Sequence, residues 1–183
     1  KFRQLYRLRS CLQRMIITLT GMPGAGKSTV AKILACKLSL ERFYAGQLMR
    51  DCAKKKNINL ITYLKYLETH PDEEKEYDKQ VAALGKKDNI IVEGRTAFHF
   101  IPHSVKLFLD VNQNEGARRI LDEMQKENKR NEKKYSSLKE AKETQQKRLE
   151  SDRQRYLALY GFDMLNKSQY DLIIDTTHKT PDN

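Results

Sequence analysis

One eight-residue stretch limits the folds open to this chain more than any other: Gly21-Met-Pro-Gly-Ala-Gly26-Lys27-Ser28, which fits the pattern G-x-x-x-x-G-K-S/T. Its two flanks differ in periodicity. Residues 16–20 form an apolar, β-branched run, whereas Val30, Ile33, Leu34, Ala35 and Leu38 recur at helical spacing. The spacing predicts a strand, a glycine-rich turn and a helix in direct succession, the context in which the pattern becomes a phosphate cradle. There, glycines let consecutive backbone N–H groups converge on phosphate oxygens, and the helix N-terminus adds a favourable dipole. Gly21, Gly24, Ala25 and Gly26 are the expected loop. Lys27 would reach the β- and γ-phosphates, Ser28 would offer its hydroxyl to Mg²⁺, and Thr29 follows in the first helical turn.

The remaining residues continue the alternation of strand and helix. Short apolar runs at 43–44, 90–92, 105–109 and 172–174 read as strands, and Glu93 and Asp110 close two of them with a carboxylate at the end that faces a ligand crevice. Between the second and third strands lie three helical patterns. Leu48, Met49, Cys52 and Ala53 mark the first; Leu60, Tyr63, Leu64 and Leu67 mark the second, with Asn57 or Asn59 as its cap; Pro71-Asp72 opens the third, which ends near Gly85. Residues 46–85 therefore read as an inserted helical flap over a substrate. Ala117, Ile120, Leu121 and Met124 define a further helix that dissolves into a polar run at 125–137, a candidate lid. A long helix then runs to Tyr160, with Gly161 as its stop. The expected architecture is α/β: a five-stranded parallel sheet with helices on both faces, in one domain spanning residues 15–183.

Charge distribution narrows the partners. The formal charge of the 183 residues is +11, but residues 1–14 supply five cations with no acid and residues 126–155 supply eleven cations against six acids, leaving +1 for everything else. A nucleic-acid binder would carry a broader basic surface, so an anionic small molecule is the expected partner. Residues 1–14, Arg-rich and weakly amphipathic through Phe2, Leu5, Leu8 and Leu12, are set apart as a basic extension. No stretch approaches the roughly 18 apolar residues of a membrane span. Three cysteines without metal-like spacing suggest free thiols in a reducing, cytoplasmic setting. Pro102 interrupts the pair His99 and His103, which argues against a metal site there.

A phosphate cradle alone does not separate a kinase from a GTPase. A guanine-reading N-K-x-D motif is missing, since Asn166-Lys167-Ser168-Gln169 lacks the carboxylate. That weakens a GTPase reading and leaves phosphoryl transfer to a small molecule as the leading class; the loop is accompanied by several ordered blocks: Tyr44-Ala-Gly-Gln-Leu-Met-Arg50, Glu93-Gly-Arg95, Phe108-Leu-Asp110, the run from Arg148 to Tyr156, and the run from Tyr170 to Thr176. From Met15 to about Thr180 the chain resembles the cytidylate kinase branch of the nucleoside monophosphate kinases. The similarity is greatest to the short archaeal-like form, which carries an equivalent of Tyr160-Gly161-Phe162-Asp163.

That resemblance implies a P-loop kinase fold and transfer of a phosphoryl group from ATP, with Mg²⁺, to CMP or dCMP by a monomer. It implies roles for single residues as well. Lys27, Arg148 and Arg153 would be catalytic, Arg119 would pack on the adenine, and Tyr44, Gly46, Arg50, Arg95 and Arg155 would bind the acceptor. Ser28 and Glu93 would serve the metal, with Asp110 as the competing carboxylate. Thr96 departs from the family pattern, standing where bacterial relatives carry an Asp that contacts the sugar, which leaves ribose against deoxyribose open. Two alternatives stay in view: a P-loop kinase for AMP, UMP or a non-nucleotide, and an ATP-switched RNA- or ribosome-binding regulator.

Overall fold

A computed structural model describes residues 15–126 and 135–181. The basic extension at 1–14 and most of the expected lid therefore lie outside the described residues. Strand β1 (Ile16–Gly21) is buried along its whole length and occupies the centre of a five-stranded sheet. On one side it pairs with β3 (Ile90–Glu93), which pairs in turn with β2 (Glu41–Tyr44); on the other it pairs with β4 (Val105–Asp110), followed by β5 (Leu172–Asp175). Every pairing is parallel, in the order β2-β3-β1-β4-β5. The order reverses direction at β1, and a crevice forms beyond the carboxyl ends of strands at such a switch point.

Helices cover the sheet because its central strands are apolar on both faces. Ile17, Leu19, Ile91, Leu107 and Leu109 pack with Ala31 of α1 (Lys27–Leu38). The opposite parity, Ile16, Ile90 and Val92, packs with α2 (Ala45–Lys55), α3 (Leu60–Thr69) and α4 (Pro71–Ala83) through Met49, Leu64, Tyr77 and Val81. A third cluster joins Phe108 of β4 to Phe98 in the short α5 (Ala97–Phe100), to Leu149 and Tyr156 in α7 (Leu138–Tyr160), and to Phe162 and Tyr170. Helix α6 (Gln113–Lys126) packs alongside α7.

Local signals set the boundaries. Asn59 accepts a hydrogen bond from the Thr62 amide at 2.9 Å and caps α3, while Asn57 sits before it in a left-handed turn at φ 57°. Pro71 opens α4, and Gly161 at φ 71° stops α7. The edges differ from the expectation. β2 begins two residues earlier than its apolar run, because Glu41 and Arg42 lie in register with Ile90 and Ile91. The runs at 105–109 and 172–174 are not covered throughout, since Val105 is 45% and Leu172 51% exposed on the β4–β5 side. Helix α5 was not anticipated; four residues are too few to display a period. His99 stacks on Phe162 at 4.1 Å and His103 Nε2 lies 3.0 Å from the Gly85 carbonyl oxygen, so the two rings serve separate packing contacts.

Candidate active site

The glycine-rich loop leaves β1 and is held by neighbours distant in sequence. The Met22 amide donates to the Leu109 carbonyl at 2.9 Å, and Thr176 Oγ1 donates to the Ala25 carbonyl at 3.2 Å. Gly24, at φ 76°, lies against Gly116 so closely that a Cβ would fall 2.2 Å from the Gly116 carbonyl oxygen. Gly26 precedes α1 without a capping side chain, so the helix N-terminus faces the loop interior as an anion site. Lys27 Nζ curls over the loop and donates to the carbonyls of Gly21 and Met22 at 2.9 and 2.8 Å. Ser28 Oγ donates to Glu93 Oε1 at 2.5 Å. Glu93 is 2% exposed at the end of β3, so the two groups proposed for a cation meet at the crevice wall.

One cleft of about 1110 Å³ runs from this loop to the three-helix segment. Toward the loop it carries Arg119, whose Nη2 donates to the carbonyls of Thr176 and Thr177 at 2.8 and 3.1 Å, and whose Nε donates to Glu115 at 2.8 Å. Glu115 also binds Arg118, and the two guanidinium groups hold its carboxyl down at about pH 2. Toward the three-helix segment it is lined by Tyr44, Gly46, Arg50, Arg95, Thr96 and Arg148. Arg50 is 7% exposed and donates to the Tyr44 hydroxyl at 2.8 Å and to the Gly46 carbonyl at 2.9 Å. Arg95 forms an ion pair with Asp152 of α7.

The three arginines of α7 go to three different environments. Arg148 lines the cleft. Arg153 lies outside it, bound to Asp163 through Nε and Nη2 at 2.9 and 2.7 Å. Arg155 is buried behind the wall, donating to Glu74 of α4 at 2.7 and 2.9 Å and to Asp152 at 2.7 Å. A rotation of 100° per residue sets Arg153 about 140° from Arg148, whereas Arg155, seven residues on, returns to within about 20° of Arg148 and is set apart by its partners Glu74 and Asp152. Asp110, the competing carboxylate, is committed elsewhere: it accepts from Lys167 at 2.5 Å and from the Val111 amide at 2.9 Å.

The pattern of the Cytidylate kinase-like family matches residues 16–178, nearly the whole described chain. The chain belongs to that family. Cytidylate kinases of Thermococcus kodakarensis and Methanobrevibacter smithii are each 34% identical to it over 169 residues, 92% of this chain and 82% and 92% of theirs. The P-loop kinase fold recurs in a shikimate kinase from Bacteroides thetaiotaomicron, with a TM-score of 0.55, 18% identity and coverage of 88% and 86% of the two chains. A protein of Eubacterium ventriosum superposes with a TM-score of 0.57 at 18% identity, covering 92% of each chain.

In this cytidylate kinase-like chain Thr96 does not act alone. Its hydroxyl donates to Asp78 Oδ1 at 3.1 Å, and Tyr160 donates to Asp78 Oδ2 at 2.7 Å, tying α4 to the loop after β3 and to the end of α7. Asp78 is 2% exposed; burial, with the nearby Glu74 carboxylate adding to it, pushes its carboxyl up to about 7 against the two hydrogen bonds. Burial also raises Glu74, opposed by Arg155. Neither acid stands out in the sequence, where α4 reads as a charged surface helix. The available signal was their position on the same face as Tyr77 and Val81. Among the described residues, no helix is long and apolar enough to cross a membrane and no group of three or more His, Cys, Asp or Glu could hold a metal ion.

Proposed function

We infer that this protein is a nucleoside monophosphate kinase that transfers the γ-phosphoryl group of ATP to CMP or dCMP. The observation that carries the reading is a single cleft with a phosphate cradle at one end and Arg50, Arg95 and Arg148 at the other. Two polyanions brought together need such positioned cations more than a covalent nucleophile, because the transition state spreads charge over the transferring oxygens. The family relatives, named as cytidylate kinases, support cytosine as the base.

An oxygen of the acceptor monophosphate attacks the γ-phosphorus, the bond to the bridging oxygen of the departing ADP breaks, and the products are ADP and a nucleoside diphosphate. The attacking oxygen is already ionised at neutral pH, so no side chain has to remove a proton. Lys27 exchanges its two loop carbonyls for the β- and γ-phosphates. Arg50 and Arg95 grip the acceptor phosphate from α2 and from the turn after β3, and Arg148 faces the transferring group. Arg119 presents its guanidinium plane to the adenine, held by Glu115 and two carbonyls. Arg153 reaches a phosphate only by exchanging its Asp163 partner, and Arg155 shapes the acceptor end from behind through Asp152.

The residues fit a hard cation: a serine hydroxyl and a buried carboxylate 2.5 Å apart are oxygen donors of the type such an ion takes. Ser28 and Glu93 would hold Mg²⁺, which supplies charge neutralisation between the phosphates. Helices α2 to α4 act as the acceptor flap, and residues 125–137 as the lid.

A panel of CMP, dCMP, UMP, AMP and shikimate, assayed by coupled ADP release, tests the reading. ADP formation should depend on the cytidine nucleotides. Release only with a non-nucleotide acceptor, or with none at all, overturns it.

A further inference from the structure

Glu93 has two carboxylate oxygens and Ser28 occupies one of them. The other accepts from Arg42 Nη2 at 2.7 Å. Arg42 stands on edge strand β2, two residues before Tyr44 and in register beside Ile91, so Arg42, Tyr44 and Glu93 project from the same face of the sheet. The Arg42 guanidinium lies 5.6 Å from the centre of the Tyr44 ring, and the Arg50 guanidinium lies 5.5 Å from the same point. Tyr44, Arg50, Glu93 and Ser28 line the cleft; Arg42 does not.

Stability gives a poor account of this arginine. A largely desolvated ion pair does little better than an apolar pair of similar volume, and Arg42 Nε is buried with no hydrogen-bond partner, which weighs against the arrangement further. What the guanidinium does achieve is orientation. It fixes one oxygen of Glu93 and thereby aims the other at Ser28, while its face contact steadies the ring whose hydroxyl accepts from Arg50. Tyr44 has little freedom of its own, since a Cβ on Gly46 would fall 2.6 Å from its ring.

We propose that Arg42 is a positioning residue that acts from behind the cleft wall, orienting Glu93 toward the cation of the donor nucleotide and Tyr44 toward the acceptor-phosphate arginine. The inference rests on the kinase reading given above. Groups that orient a metal-binding side chain without touching the metal typically contribute about 10- to 100-fold in affinity or activity.

Calorimetric titration of ATP into the full chain, with Mg²⁺ and with EDTA, tests the proposal in Arg42→Met and Arg42→Lys beside the wild type. In Arg42→Met the gain in ATP affinity that Mg²⁺ confers should shrink about tenfold, while affinity in EDTA stays at the wild-type value. The KM for CMP should rise as well. Arg42→Lys keeps a charge near Glu93 and should recover part of the Mg²⁺ effect. If Arg42→Met retains the full Mg²⁺ effect, or loses affinity equally in EDTA, the proposal fails. Should Arg42→Met not fold, Arg42→Lys decides alone: a Mg²⁺ effect and CMP KM equal to wild type overturn the idea. Wild-type protein whose ATP binding ignores Mg²⁺ would instead overturn the kinase reading, so the two failures are distinct.

Discussion

Replacing Asp78 by Asn should remove a pH dependence of stability that the wild type carries. The folded chain raises this carboxyl to about 7 from 3.8, by burial first and by the Glu74 carboxylate in addition. A gap of about three pH units, at about 1.4 kcal/mol each, amounts to about 4 kcal/mol. The sign follows from which form the fold prefers. Because the folded pKa lies above the unfolded one, the contribution of Asp78 is complete below about pH 4 and is lost as pH rises through 7. About 2.5 kcal/mol of the loss falls between pH 5 and pH 8. Glu74, Arg155, Tyr160 and the ring of Tyr77 face the site in both proteins, and because Glu74 is coupled to Asp78 the comparison reads the pair of carboxyls. Urea unfolding followed by circular dichroism at half-unit steps gives the difference directly. Asp78→Asn should gain on the wild type by about that amount across the window. A difference constant to within about 0.5 kcal/mol would refute the argument that the buried carboxyl resists ionisation.

Three further outcomes follow from the cleft. Lys27→Ala should reduce kcat by at least about 100-fold in coupled ADP release while the melting temperature stays put; wild-type turnover would contradict its role. Gly24→Ala puts a Cβ against the Gly116 backbone at a left-handed φ, so thermal melts should show a loss of about 2–4 kcal/mol and little stabilisation by ATP. Arg148→Ala should lower kcat more than Arg153→Ala, because only the former lines the cleft; equal losses would mean that Arg153 leaves Asp163 during turnover.

The parts of the fold legible in the sequence are those written in a local code. β3 and the buried part of β4 are apolar on both faces and β1 is buried and largely β-branched, so they stand out as short runs, and Asn59, Pro71 and Gly161 mark boundaries through the chemistry of a few neighbouring atoms. Edge strands obey no such rule. Glu41 and Arg42 join β2 because β3 offers them hydrogen bonds, not because they are apolar. The donor loop was legible as a motif, and Arg50 and Arg95 do lie at one end of the same cleft. The five-residue spacing makes the separation of Arg153 from Arg148 legible, but that of Arg155 from Arg148 was not, since it depends on Glu74 arriving from 81 positions away. Arg42 escaped notice for the same reason: only the register of β2 on β3 brings it to Glu93.

Central placement of β1 ties nucleotide capture to the history of the chain during its synthesis. All eight residues of the glycine motif emerge before the groups that hold them: the carbonyl that receives Met22 belongs to Leu109 and the backbone against which Gly24 lies belongs to Gly116. A ribosome-bound fragment shorter than this holds the signature without the cradle. The loop can therefore take its observed shape only after β4 and the start of α6 have joined β1.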